Sequence, residues 1–139
     1  MGNFILGRGF TVSARNHAYK RVLWLFRRRP LLAEKQELKK IFPSHLLIEY
    51  TGKIRDVDHI LQLIQEYAAD EIVTILPIPI VAELLERKIY PIWIDLRPLR
   101  KARKYDWKRD WKDEDRGIVY RFRGFKRVKG IKLIFEKLI

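Results

Sequence analysis

Residues 45–97 decide the fold class of this chain, because three apolar runs lie within them: Leu46-Leu47-Ile48-Glu49-Tyr50, Ile72-Val73-Thr74-Ile75-Leu76 and Ile92-Trp93-Ile94-Asp95-Leu96. Each run has the length and the β-branched or aromatic content of a strand. Near-continuous apolar strands are typical of parallel sheets that are covered on both faces. The stretch therefore predicts a sheet whose strands are buried.

Two helices are predicted between these strands. Asp56 can cap the first of them, and Pro79 suits the first turn of the second. Alternation of strands and helices is the pattern of an α/β fold. We therefore expect a three-layer α/β protein with a small, mostly parallel sheet, built on a βαβαβ core at about residues 45–97.

The residues before this core predict an N-terminal helical segment. Ser13 can cap a helix from Ala14 to about Arg28, which Pro30 would end. Its apolar residues recur at helical spacing and would face the core. Its other face would carry basic residues around Trp24.

The residues after the core predict a basic β extension. From Ile118 the chain alternates between aromatic and basic residues, which indicates a strand with two different faces. We expect two strands with a turn near Lys129-Gly130, and a final helix from Ile131 is the alternative. Trp107 and Trp111 lie in the charged segment before the extension and are expected mainly to cover the core.

Charge is concentrated at the two ends of the chain. The 139 residues fit one domain and carry a net charge of +13. Residues 1–30 hold seven Lys or Arg and no Asp or Glu, residues 31–100 have a net charge of −2, and residues 101–139 have a net charge of +8. A near-neutral core with basic N-terminal (1–30) and C-terminal (101–139) segments indicates an anionic partner.

Nucleic acid, either DNA or RNA, is the partner that this charge pattern favours. Guanidinium and ammonium groups bind phosphate, and an indole can stack on an unpaired base. We therefore predict a small basic protein that binds the phosphate backbone with weak sequence specificity. The predicted contact residues are Lys20, Arg21, Trp24, Arg27 and Arg28 in the N-terminal segment, and Arg121, Arg123, Lys126, Arg127 and Lys129 in the C-terminal segment.

A different function is open at the strand ends of the core. Gly52, Lys53 and Arg55 follow the first apolar run and could hold an anion at the start of the next helix. Glu49 and Asp95 could converge on the same edge of the sheet. This alternative makes the chain a nucleotide-binding module or an enzyme with a strand-end pocket. A second alternative is an interaction module that binds an acidic protein, or a homodimer.

The amino-acid composition makes several functions and locations less favoured. The chain has no Cys, and its three His residues are far apart, so we expect no metal ligands and no cofactor. It has no nucleophile motif, and an enzymatic function is not favoured. No apolar run is long enough to span a membrane, so we expect a cytoplasmic protein without a membrane partner. Many charged residues and few Gln, Asn and Met residues favour a thermophilic source.

Overall fold

The computed structural model describes residues 19–100 and 103–138. Within these ranges the chain forms six strands and three short helices. In chain order they are β1 (Lys20–Leu25), α1 (Leu32–Ile41), β2 (His45–Tyr50), α2 (Val57–Tyr67), β3 (Glu71–Thr74), α3 (Ile78–Glu86), β4 (Ile92–Pro98), β5 (Asp110–Asp113) and β6 (Ile118–Arg127). None of the three helices in these ranges is long and apolar enough to cross a bilayer.

The six strands form one mixed sheet with the order β2-β1-β3-β4-β6-β5. Strands β2, β1, β3 and β4, in that order across the sheet, are parallel to one another. Strand β6 runs antiparallel to both of its neighbours, β4 and β5. The sheet curls into a half-barrel. The predicted fold class, a three-layer and mostly parallel βαβαβ sandwich, was therefore wrong. The strands and helices expected between residues 45 and 97 do form, but β1 lies between β2 and β3.

The predicted N-terminal helix was wrong over its described part, because residues 20–25 form strand β1. Its residues Val22, Leu23, Trp24 and Leu25 are at most 1% exposed, since β1 pairs on both edges and is covered on both faces. A strand buried on both faces has no polar face, so its apolar run is equally compatible with a helix in the sequence. The earlier part of the predicted helix, with Ser13 and Ala14, lies outside the described residues.

The two faces of the sheet carry separate hydrophobic cores. Leu23 and Leu25 of β1 pack with residues of α2 and α3, whereas Val22 and Trp24 pack with Leu38 of α1 and Phe122 of β6. Helix α1 therefore lies on the face opposite to α2 and α3. Strands β1 and β3 are neighbours in the sheet. The chain goes from β1 through α1 to β2 on one side, and from β3 through α3 to β4 on the other side, so it leaves β1 and β3 in opposite directions. Such a point in an open α/β sheet leaves a crevice beyond the strand ends.

The C-terminal strands belong to the same sheet and are not a separate β extension. The hairpin is β5–β6, and its turn is at residues 114–117, not near Lys129. Gly117 has a φ of 68° there, a conformation that glycine adopts without strain. Gly124, with a φ of 145°, lies where the pairing of β4 with β6 shifts register. Residues 128–138 form neither the second predicted strand nor the alternative helix.

Candidate functional site

A cavity of about 550 Å³ lies beyond the carboxyl ends of the parallel strands. The segments that follow β1, β2 and β3 supply one side, and β4 and the β5–β6 hairpin supply the other. We call this cavity the strand-end crevice; its lining residues that carry the argument are Phe26, Arg27, Gly52, Lys53, Trp93, Asp95, Trp111, Asp113, Arg116 and Tyr120. Ligands of open α/β sheets bind in this position, where the chain switches direction.

Curling of the sheet closes the crevice on one side. Arg27, two residues after β1, forms an ion pair with Asp113 at the end of β5. The ring of Phe26 meets the ring of Trp111 edge-on, with centroids 5.7 Å apart. Since β3, β4 and β6 separate β1 from β5 in the sheet, these contacts require the sheet to bend around the cavity.

The end of β1 is also fixed to its neighbour β3. The buried hydroxyl of Thr74 donates a hydrogen bond of 2.7 Å to the carbonyl oxygen of Leu25. This bond satisfies a polar group at the strand end, where an unpaired carbonyl oxygen would be costly. The hydrogen bond therefore holds the ends of β1 and β3, which form the floor of the crevice, in a fixed position relative to each other.

Aromatic rings form much of the crevice wall. Trp111 of β5 and Tyr120 of β6 are cross-strand partners, and their rings stack with centroids 6.0 Å apart and planes 25° apart. Trp93 of β4 lines the crevice as well. Flat rings on strands give a rigid apolar surface that suits another planar group.

The two carboxylates of the lining are held in ion pairs. The side chain of Asp113 is 2% exposed and lies between Arg27 and Arg116, with 3.8 Å between its Oδ2 and Nε of Arg116. Asp95 accepts a hydrogen bond of 2.9 Å from Nε of Arg97 and lies 3.4 Å from Nζ of Lys126. The hydrogen bond from Arg97 is the main cause that lowers the pKa of Asp95, and Lys126 adds to the effect. Asp95 is therefore an anion at neutral pH.

Lys53 is the cation of the lining that has no carboxylate partner among the described residues. It lies in the segment between β2 and α2, where Gly52 allows the ring of Tyr50 to approach the backbone. A Cβ atom at position 52 would lie 2.9 Å from Cζ and from the hydroxyl oxygen of Tyr50. The exposed ammonium group of Lys53 is thus placed at the crevice and is free to bind an added anion.

Three of the five residues predicted for a strand-end or anion site line the crevice, namely Gly52, Lys53 and Asp95. The other two do not. Glu49 forms an ion pair of 2.8 Å with Arg29, and the backbone N–H of Arg55 donates to Nδ1 of His59. At the start of α2, the N–H of His59 is taken by the carboxylate of Asp56, which leaves the predicted anion site with a competing negative charge.

The structure separates the five predicted contact residues of the N-terminal segment. Trp24 is fully buried and its Nε1 donates 2.7 Å to the carbonyl oxygen of Arg28, so it has no surface for a base. Arg28 binds Glu34 through two hydrogen bonds of 2.7 and 2.8 Å. Lys20 and Arg21 begin β1, at the end of the strand opposite to Arg27. Arg21 donates through Nε to the carbonyl oxygen of Tyr67, and Lys20 lies 3.9 Å from Glu71.

Among the described residues, three of the five predicted contact residues of the C-terminal segment form ion pairs. Arg121 binds the buried Asp110 through two hydrogen bonds, and Arg127 binds Glu71. Lys126 is 65% exposed although it lies near Asp95. Arg123 and Lys129 are exposed. Contact of these residues with phosphate stays a prediction, and so do the acidic partner and the homodimer.

Sequence reasoning missed the aromatic wall and Arg116. Trp93 and Tyr120 lie in predicted strands, whereas Trp111 lies in the charged segment before the β extension and was expected to cover the core. Trp93 pairs directly with Thr74 at the end of β3, and only the curl of the sheet brings Trp111 to Phe26 and Arg27 after β1. Within the described ranges, no group of three or more His, Cys, Asp or Glu side chains is arranged to hold a metal ion. Comparisons of the chain with protein-family models, with curated proteins and with solved structures found no match.

Proposed function

We propose that the strand-end crevice binds a mononucleotide. The observation that carries this proposal is that stacked aromatic rings and Lys53, a cation without a carboxylate partner among the described residues, line one cavity of about 550 Å³ at the strand ends. Cavities of this size hold small molecules, and ligands of open α/β sheets bind at this edge.

The aromatic wall supports a planar base as one part of the ligand. The rings of Trp93, Trp111 and Tyr120 line the cavity, although Trp111 is already stacked on Tyr120 and has the guanidinium of Arg27 over its ring. Stacking on a base contributes about 1–3 kcal/mol in sites that bind nucleic acid, and every base has a π-face. The wall therefore selects planarity more strongly than it selects one base over another.

The charges support phosphate as the other part of the ligand. Arg27 and Arg116 neutralise Asp113, and Arg97 and Lys126 neutralise Asp95, which leaves the ammonium of Lys53 available. A charged hydrogen bond to phosphate contributes about 1.5–3 kcal/mol. Phosphate next to Lys53 would offset part of the excess positive charge around the crevice.

The chemistry of the lining supports binding more than catalysis. The two carboxylates are committed to ion pairs, and the described lining residues include no Ser, Thr, Cys or His side chain that could act as a nucleophile or proton shuttle. A role in holding a nucleotide requires none of these groups.

Thermal unfolding with added ligand tests the proposal. Millimolar ATP or GTP is expected to raise Tm, because a ligand that binds only the folded state stabilises it. Adenosine and guanosine should raise Tm less, since they lack phosphate. Lys53→Ala should weaken nucleotide binding, measured by calorimetry, by about tenfold or more.

Lys35→Ala is the matched control, since Lys35 is also exposed but lies on α1, away from the crevice. It should bind nucleotide as the parent chain does. Equal losses for Lys35→Ala and Lys53→Ala would indicate general charge attraction instead of a site. Absence of any Tm change with nucleotides would overturn the proposal.

A further inference from the structure

A second surface, made by residues 103–109, combines exposed aromatic rings with positive charge. Trp107 is 66% exposed and Tyr105 is 51% exposed. The same seven residues include four basic side chains, Arg103, Lys104, Lys108 and Arg109, and one acidic side chain, Asp106, for a net charge of +3. We call this segment the Trp107 loop. None of its residues was among the predicted contact residues.

Hydrogen bonds hold the Trp107 loop in one shape. The N–H of Asp106 donates 2.6 Å to the carboxylate of Asp110, and the N–H of Asp110 donates 2.8 Å back to the carbonyl oxygen of Asp106. The hydroxyl of Tyr105 donates 3.1 Å to the carbonyl oxygen of Asp110. The carbonyl oxygen of Lys108 accepts a bond of 2.9 Å from Ala33 at the start of α1.

Exposure of the Trp107 indole is thus a property of a fixed loop. Two large exposed aromatic side chains on one fixed loop, with charged residues around them, are typical of a binding surface. The loop also borders a surface groove of about 460 Å³, which Lys104, Tyr105, Asp106, Trp107, Arg109 and Arg121 line. Two aromatic rings and three cations therefore line one groove.

We propose that single-stranded nucleic acid binds along the Trp107 loop, with bases stacked on Trp107 and Tyr105 and phosphates at Lys104, Lys108 and Arg103. Stacking needs unpaired bases, whose faces a duplex keeps covered, so the exposed rings favour a single strand. The net charge of the loop complements a phosphate backbone. Arg109 and Arg121 are less available, because they pair with Asp106 and Asp110.

This surface differs from the one that the sequence predicts. Trp24, the aromatic residue expected to stack on bases, is in the core, and Trp107, expected to cover the core, is on the surface. The proposal is independent of the strand-end crevice, whose lining includes none of residues 103–109.

Anisotropy of a labelled 15-nucleotide oligomer, titrated with the full chain at several salt concentrations, tests this proposal. Oligo-dT and oligo-U should bind, and a duplex of the same length should bind more weakly. Trp107→Ala should weaken single-strand binding about 5- to 100-fold, and Trp107→Phe should restore most of the loss. Replacing Lys104 and Lys108 together by Ala should make the plot of log K against log salt less steep, by roughly 0.7 for each phosphate contact removed.

Tyr90→Ala is the control, since Tyr90 is another exposed aromatic residue, 42% exposed. It precedes the first residue of β4, whereas the Trp107 loop follows the last residue of that strand. It should bind as the parent chain does. Unchanged single-strand affinity of Trp107→Ala, equal affinity for duplex and single strand, or no binding at low salt would each overturn the proposal. Nucleotide binding in the crevice should not change in Trp107→Ala, so the two proposals can fail separately.

Discussion

Arg27 follows β1 and binds the carboxylate of Asp113 at the end of β5, although three strands separate β1 from β5 in the sheet. The pair joins two parts of the chain that are 86 residues apart. The guanidinium group of Arg27 also lies over the ring of Trp111, 5.1 Å from its centroid. These contacts hold the curl of the sheet and, with it, the wall of the strand-end crevice.

Removing the Arg27 side chain should therefore destabilise the fold. In Arg27→Ala the carboxylate of Asp113, which is 2% exposed, would lose its nearest cation. We expect the free energy of unfolding to fall by about 1–3 kcal/mol, the usual effect of leaving a buried charged group poorly paired. Urea denaturation measures it. Arg29→Ala is the control: Arg29 is 76% exposed in its pair with Glu49, and little change is expected. Equal stability of the two variants would contradict the assigned role of Arg27.

Glu34→Gln should destabilise the packing of α1 against the sheet. Glu34 is fully buried and neutralises Arg28, whose guanidinium lies 4.9 Å from the ring centroid of Trp111 and 5.1 Å from that of Phe26. Breaking a buried ion pair by changing one partner costs about 3–5 kcal/mol. Chemical denaturation should show this loss. Glu37→Gln, an exposed site on the same helix, should stay close to the parent chain, and a comparable loss there would argue against a special role for Glu34.

The effect of a tryptophan substitution on stability should depend on how deeply the side chain is buried. Trp24 is the most buried of the four tryptophans and Trp107 is the most exposed. Trp24→Ala should lower the free energy of unfolding by about 3–5 kcal/mol, because it opens a cavity between α1 and the sheet. Trp107→Ala should change it by no more than about 0.5 kcal/mol, since the indole is mostly exposed. Thermal and urea unfolding distinguish the two variants. A large loss for Trp107→Ala would mean that Trp107 packs in the fold and would weaken its assignment to a binding surface.

Stability should depend on acid pH through Asp110. The hydrogen bond from Arg121 is the main cause that lowers the pKa of Asp110 in the folded chain. A lowered folded pKa means that the stabilisation is present above the unfolded value of about 3.9 and is lost as the pH falls through the lower, folded value. Urea midpoints measured between pH 7 and pH 2 should therefore fall at the acid end.

Asp110→Asn should be less stable than the parent chain at pH 7, and the difference should shrink below about pH 4, where Asp110 of the unfolded chain begins to be protonated. Asp115→Asn serves as the control, since that side chain is 88% exposed. A constant difference between Asp110→Asn and the parent chain across the pH range would show that Asp110 does not titrate as its pairing implies.

Local sequence determined the segments from β2 to β4. Asp56 caps α2 through the N–H of His59, and Pro77 and Pro79 bracket the start of α3, so the ends of these elements are encoded within a few residues. The apolar runs between them become strands because they are short and contain β-branched or aromatic residues. The sequence alone also predicted an anion site that includes Gly52 and Lys53, and both residues line one side of the crevice.

Tertiary structure alone decided the state of β1, the order of the strands and the partners of the charges. Val22, Leu23, Trp24 and Leu25 are buried on both faces, so no periodicity in the sequence distinguishes a strand from a helix there. Arg27 finds Asp113, Arg121 finds Asp110, and Arg127 finds Glu71, contacts that exist only once the sheet has assembled. The sequence determined that the chain is basic. Folding decided which of its basic side chains form ion pairs within the protein and which stay available to bind a ligand, because ion pairing depends on distance in space and not along the chain.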